Sequence, residues 1–174
     1  MMCAGSSTVP ARSVACDTTI LLYLGRISRL DLLPALFVKI YVPEQIVTEL
    51  DMGRLLRRDT MNPRHFDWAS AVSVEQSAID RLPPNRLGIG EQSVIAYAQV
   101  HSCDAVGLDD LQARELAERL GLKVVGILGI FLLAKRRALI PAVRPLMDAV
   151  VDQGFHLGVG LYDDVLELAG EKIA

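Results

Sequence analysis

Five acidic residues in this 174-residue chain stand where chemistry is possible: Asp17, Glu49, Glu91 and the adjacent pair Asp109-Asp110. Asp17 closes a short β-type run, and Asp109-Asp110 follows directly on another. Glu91 opens a helical stretch, and Glu49 lies about one and a half turns into a different one, on the margin of an apolar face made by Ile46 and Leu50. Gathered in one place, such carboxylates repel and raise each other's pKa values unless a cation neutralises them. Hard oxygen donors of this kind suit Mg²⁺ or Mn²⁺, with waters completing the octahedron.

The elements that must gather them can be read from the same text. β-Type runs fall at residues 14–17, 38–42, 72–74, 105–108 and 123–125, the second closed by Pro43. Helical spacing occupies residues 19–24, 28–37 with Ser28 as N-cap, 44–52, 91–101, 112–120 with Gly121 as its stop, 128–137, 141–153 and 161–168. Residues 53–68 are basic and irregular, with Arg54, Arg57, Arg58 and Arg64, and Pro63 argues against one continuous helix there. Residues 1–12 are small and polar and read as a loose tail. Short strands alternating with helices predict βαβ units, an α/β fold whose parallel sheet is covered by helices. Right-handed crossovers then put every strand C-terminus on one edge, where open α/β sheets hold ligands. A helix of about eleven residues from Glu91 runs down from that edge and the strand 105–108 returns to it, so Glu91 and Asp109-Asp110 join Asp17 there.

Composition narrows the classes. The chain is 51% hydrophobic and 22% charged, enough apolar material for a core and too little charge for disorder. The uncharged run 124–134 is far short of the ~20 residues a membrane-spanning helix needs. No basic-then-apolar leader is visible, and three cysteines fit reduced thiols in a cytoplasmic setting better than a disulfide framework. Net charge is −3, so nucleic-acid binding needs a local basic patch. The stretch 54–64 suits phosphate contact or a merely solvated loop. His65, His101 and His156 have no ligand spacing, and Gly88-Ile89-Gly90 lacks the third glycine of a dinucleotide fingerprint because position 93 is Ser.

The segments C-D-T-T-I-L-L-Y-L-G, V-P-E-Q-I-V-T-E-L, G-I-G-E-Q-S-V-I-A-Y-A and G-L-D-D-L-Q-A-R-E-L-A-E-R-L-G-L-K-V-V-G resemble the successive motifs of the PIN-domain nucleases. The likeness is closest to a PIN-like branch with G-E at the third motif and D-D-x-x-A-R at the fourth, and it spans about residues 13–170. It implies a three-layer PIN-like fold, with a tail at 1–12 and a single domain over 13–174. Carried across position by position, Asp17 is the first acidic residue and Thr19 its small polar companion. Glu49 is the second acid, Glu91 the third, and Asp110 the fourth, with Leu108 where the wider family usually has Thr. Asp109 is an extra carboxylate, which leaves open which of the pair is a metal ligand. The family implies Mg²⁺- or Mn²⁺-dependent hydrolysis of RNA phosphodiester bonds, often by the toxin of a toxin–antitoxin pair. Asp17, Glu91 and Asp110 (or Asp109) would hold one or two ions, and Glu49 would act as base or water-orienter. The family habit, with the high apolar fraction, also implies a homodimer, for which the helices within 19–37 offer a surface.

Each acid has a plainer role when taken singly. Asp17 and either Asp109 or Asp110 can cap helices, Glu91 can offset a helix dipole, and Glu49 can sit in solvent. Arg114, four residues after Asp110, can turn back toward the carboxylates or pair with Glu118. Two rival functions remain at this level. An aspartyl-phosphate phosphatase wants Asp at both ends of D-x-D, and position 19 is Thr. A non-catalytic RNA-binding or scaffold module is the other, against which all the acidic positions are filled.

Overall fold

The computed structural model describes residues 13–57 and 61–171, so the tail expected at 1–12 and Arg58 of the basic stretch lie outside the described residues. Five strands form one all-parallel sheet in the order β3-β2-β1-β4-β5, with β1 Ser13–Cys16, β2 Lys39–Pro43, β3 Ala69–Val72, β4 Ala105–Gly107 and β5 Val124–Val125. Between and after them run α1 Thr18–Arg26, α2 Leu32–Leu36, α3 Glu44–Arg57, α4 Gln76–Asp80, α5 Ile89–Val100, α6 Leu111–Arg119, α7 Ile127–Arg136, α8 Arg144–Asp152 and α9 Leu161–Leu168. This is the expected three-layer α/β architecture of a PIN-like fold, a central parallel sheet flanked by helices.

From β1 the chain moves one way across the sheet, to β2 and β3, then returns past β1 to β4 and β5. With right-handed crossovers, the two directions send α1 and α2 to one face and α5 and α6 to the other. Accordingly α5 packs on β1, β2 and β4, while α1, α2 and α7 pack together, and α3 touches both α1 and α5. The reversal lies between β1 and β4, the switch point where open α/β sheets leave a crevice beyond the strand ends. The register Cys16↔Gly107 brings the two strands to the same level there, and the Asp17 N–H donates to the Gly107 carbonyl at 3.1 Å.

The core follows from sequence on both faces of the sheet. β1 and β2 bury Val14, Ala15, Cys16, Ile40 and Val42, as strands covered on both sides do. α5 buries Val94 through Ala98 almost without interruption, because it is enclosed between the sheet and its neighbours. The amphipathic α1 and α2 turn Ile20, Leu21, Leu24, Leu32, Leu33 and Leu36 inward. The apolar residues of 19–37 are therefore spent largely on this chain's own core.

Several local expectations need correction. Ser28 does not cap a helix; it has φ 57° and belongs to the turn that ends α1, with its N–H on the Gly25 carbonyl. The second helix starts later, at Leu32. α3 runs on to Arg57 instead of stopping near Met52, and Pro63–His65 forms a 3₁₀ turn. The third strand is Ala69–Val72, not 72–74, and α4 was not foreseen. α8 begins at Arg144-Pro145, because proline is accommodated in a first turn whose N–H groups have no partner anyway.

Candidate active site

Three helix N-termini converge beyond the ends of β1 and β4, and each carries an expected acid. Asp17 is the N-cap of α1, its Oδ1 accepting from Ile20 N–H at 3.0 Å. Glu91 is in the first turn of α5 and accepts from Gly88 N–H at 2.9 Å. Asp110 is the N-cap of α6 and accepts from Ala113 N–H at 2.9 Å. The plain capping roles are thus real, and they also orient the side chains, since each carboxylate has one oxygen held by backbone.

Asp17, Glu49 and Glu91 line one cavity of about 210 Å³, with Thr18, Thr19, Ile46 and Gly88 completing its wall. No basic side chain is among these lining residues. Asp17 is only 3% exposed. Burial, with the nearby charges of Asp109 and Glu91 adding and hydrogen bonds from the Ile20 and Asp109 N–H groups opposing, pushes its carboxyl up to about 8. The Glu91 carboxyl is also raised, by burial first, against the Gly88 N–H, with Asp110 and Glu49 as like charges. Asp110 is exposed and not among the cavity's lining residues, but its charge lies within electrostatic reach of Glu91.

Glu49 reaches this cavity from α3. The Thr18 hydroxyl donates to its Oε2 at 2.5 Å. Its Oε1 lies over Gly90, where an added Cβ would come within 2.3 Å of that oxygen and 2.8 Å of Ile46 Cδ1. Neither Thr18 nor Gly90 was singled out from sequence. The adjacent Thr18-Thr19 after Asp17 and the Gly88-Ile89-Gly90 run before Glu91 were the available signals.

Asp109 occupies a different place. Both of its oxygens accept from the Ile127 N–H, at 3.1 and 3.3 Å, so it caps α7 from across the sheet edge. Burial raises its carboxyl to about 6, opposed by the Ile127 N–H and the Arg114 guanidinium. Arg114 does turn back toward the 108–110 segment, donating to the Leu108 carbonyl at 3.4 Å. It lies beside Asp109, and a Cβ at Gly126 would be 2.6 Å from both Arg114 Nη1 and Asp109 Oδ1. Both residues line a larger groove of about 680 Å³ along β5 and α7, walled by Leu128, Leu132 and Phe155. Asp109 and Arg114 thus face this groove, and neither lines the acidic cavity.

Among the described residues, no three acidic, imidazole or thiol side chains are already drawn round one metal position. The donor chemistry nevertheless fits a hard divalent cation. The cleft is lined by carboxylates without a basic side chain among them, and a cation there would offset the burial cost, and the smaller like-charge repulsion, that raise Asp17 and Glu91. Burial pushes the Cys16 thiol up, so the thiol beside Asp17 stays neutral and is no nucleophile.

A family model described as a PIN domain matches residues 13–171, a span that includes all five acids. No protein of curated function matches the chain. No helix among the described residues is long and apolar enough to cross a membrane. PIN domains are generally nucleases, and the all-parallel sheet with acids at its switch point is the fold on which that activity is built. The chain belongs to the PIN-domain family.

Proposed function

We propose that this chain is a divalent-cation-dependent endoribonuclease that hydrolyses RNA phosphodiester bonds. The observation that carries this reading is the acidic cavity: Asp17, Glu49 and Glu91, from three different elements, line it without a basic residue, and the Asp110 carboxylate lies within electrostatic reach of Glu91. PIN nucleases typically use divalent metals, which supports the cation. In this reading Asp17, Glu91 and Asp110 hold Mg²⁺ or Mn²⁺. When bound, the cation would polarise a phosphoryl oxygen and lower the pKa of a water.

The chain's own residues do the rest. Three backbone N–H groups aim the ligand carboxylates, so little side-chain freedom is lost as substrate arrives. Glu49, exposed at the mouth of the cavity, accepts the proton of the attacking water. Thr19 completes the wall beside Asp17. The leaving oxygen takes its proton from solvent.

The biological setting follows the same family reading: a single domain over 13–174, acting in the cytoplasm as the toxin partnered by an antitoxin protein, and a homodimer. The test is cleavage of a labelled single-stranded RNA by the purified protein. Activity with Mg²⁺ or Mn²⁺ that is lost in chelator and in Glu91→Gln supports the reading. A folded wild-type protein that cuts no RNA under either cation refutes it.

A further inference from the structure

We infer that Thr18 is a positioning residue for Glu49, and that Thr18 and Gly90 together set this glutamate as a fixed group facing the water side of the reaction and not as a metal ligand. The inference rests on the nuclease reading above and goes beyond it by assigning roles to two residues outside the acidic set.

Glu49 projects from the exposed side of α3, where a long side chain ordinarily samples many rotamers. Here both of its oxygens are constrained. Oε2 accepts the Thr18 hydroxyl at 2.5 Å. Oε1 fits over Gly90 in a space that a single methyl group would close, since a Cβ there would lie 2.3 Å away. Thr18 is itself a firm anchor. It is the first residue of α1, immediately after the Asp17 N-cap, and its β-branched side chain has few χ1 choices. The hydroxyl therefore ties the position of Glu49 to the position of Asp17. A hydroxyl that donates to Oε2 also occupies one lone pair of the oxygen that would otherwise swing toward a cation beside Asp17. The lone pairs left on Glu49 remain free to accept from a water in the cavity it lines.

Serine keeps the hydroxyl, whereas valine keeps the shape and loses the donor. The experiment measures kcat and KM for RNA cleavage with Mn²⁺, and Mn²⁺ affinity by calorimetry without RNA. The proteins are wild type, Thr18→Val, Thr18→Ser, Gly90→Ala, Glu49→Gln and the double variant Thr18→Val/Glu49→Gln. Expected are a kcat at least tenfold lower in Thr18→Val and Gly90→Ala, with KM and Mn²⁺ affinity within twofold of wild type. Thr18→Ser should recover kcat to within threefold. Thr18→Val should have no further effect once Glu49 is Gln, because a residue that acts through Glu49 has nothing left to position. Wild-type kcat in Thr18→Val overturns the inference while leaving the nuclease reading intact. So does Mn²⁺ affinity that falls in step with kcat, or a Thr18→Val loss that persists undiminished on Glu49→Gln. A wild-type protein that neither binds Mn²⁺ nor cleaves RNA overturns both.

Discussion

Asp17→Asn should cut cleavage at least a hundredfold and at the same time make the cation-free protein more stable at neutral pH. Asparagine keeps the cap, since its side-chain oxygen can accept from Ile20 N–H as Asp17 does now. What it removes is a carboxylate that burial and neighbouring acids hold at a pKa of about 8. The ordinary aspartate value in an unfolded chain is about 3.9. A folded pKa above the unfolded one means the folded state binds the proton more tightly. The associated stability is complete below about pH 4 and is lost as pH rises toward 8. At pH 7 the ionisation penalty approaches the three units between the unfolded pKa and the solution pH, on the order of 4 kcal/mol at ~1.4 kcal/mol per unit. Even half of this raises Tm by roughly 4–8 °C in a domain of this size. The assay is thermal unfolding by circular dichroism in chelator at pH 5, 6, 7 and 8. The gap between Asp17→Asn and wild type should widen with pH in favour of the variant. Excess Mn²⁺ should then close most of the gap, because wild type gains about 2.7 kcal/mol at one hundred times Kd and the variant gains little. A variant that melts below wild type at pH 8 in chelator would refute the electrostatic account of the site.

Further outcomes follow from the same geometry. Asp110→Asn should cut Mn²⁺ affinity at least tenfold, whereas Asp109→Asn, which can still cap α7 at Ile127, should leave it within threefold; equal losses in calorimetry would contradict the division between the two residues. Arg114→Lys should lower Tm by a few degrees through the loss of its planar fork beside Asp109, with kcat within twofold of wild type; a tenfold fall in kcat at unchanged Tm would return Arg114 to the reaction. Glu171 ties the C-terminal segment to Lys135 Nζ and to the Val143 and Arg144 N–H groups, at 2.7, 2.6 and 3.0 Å. Glu171→Ala should therefore cost roughly 1–3 kcal/mol in denaturant unfolding without changing activity per folded molecule. Burial opposes the charge of Glu171, but these donors prevail and hold its pKa below the ordinary value. Its contribution is accordingly present above about pH 4.3 and lost as pH falls through the lower folded value.

The positions of the acids were legible because each is attached to a signal the chain must obey. Asp17 and Asp110 follow buried strands and precede helices, where an acidic cap is favoured. Glu91 stands three residues after Gly88, which opens α5. The direction of a side chain at a given position was less legible. Spacing of four residues placed Arg114 on the same helix side as Asp110, but it could not choose between the acidic cavity and the groove behind it. That choice depends on Gly126, which lets the start of α7 approach Asp109 and Arg114. Asp109 and Asp110 likewise look equivalent in sequence; only the arrival of the Ile127 N–H separates them. Ser28 misled because serine serves equally at a helix start and in the positive-φ turn that ends one. β3 is an edge strand of small residues, Ala69-Ser70-Ala71-Val72, and gives little alternation to read. Thr18 escaped notice because its partner Glu49 is 31 residues away and only tertiary packing brings them together.

The most direct measurement sets wild type and folded Asp17→Asn side by side on one end-labelled single-stranded RNA, with Mn²⁺ and with chelator, and identifies the chemical ends of the products. The account predicts cleavage by wild type only in the presence of the cation, products of simple hydrolysis that carry no 2′,3′-cyclic phosphate, and at least a hundredfold loss in Asp17→Asn. Cleavage that survives chelator or the Asp17 substitution, or that leaves cyclic phosphate ends, would contradict it.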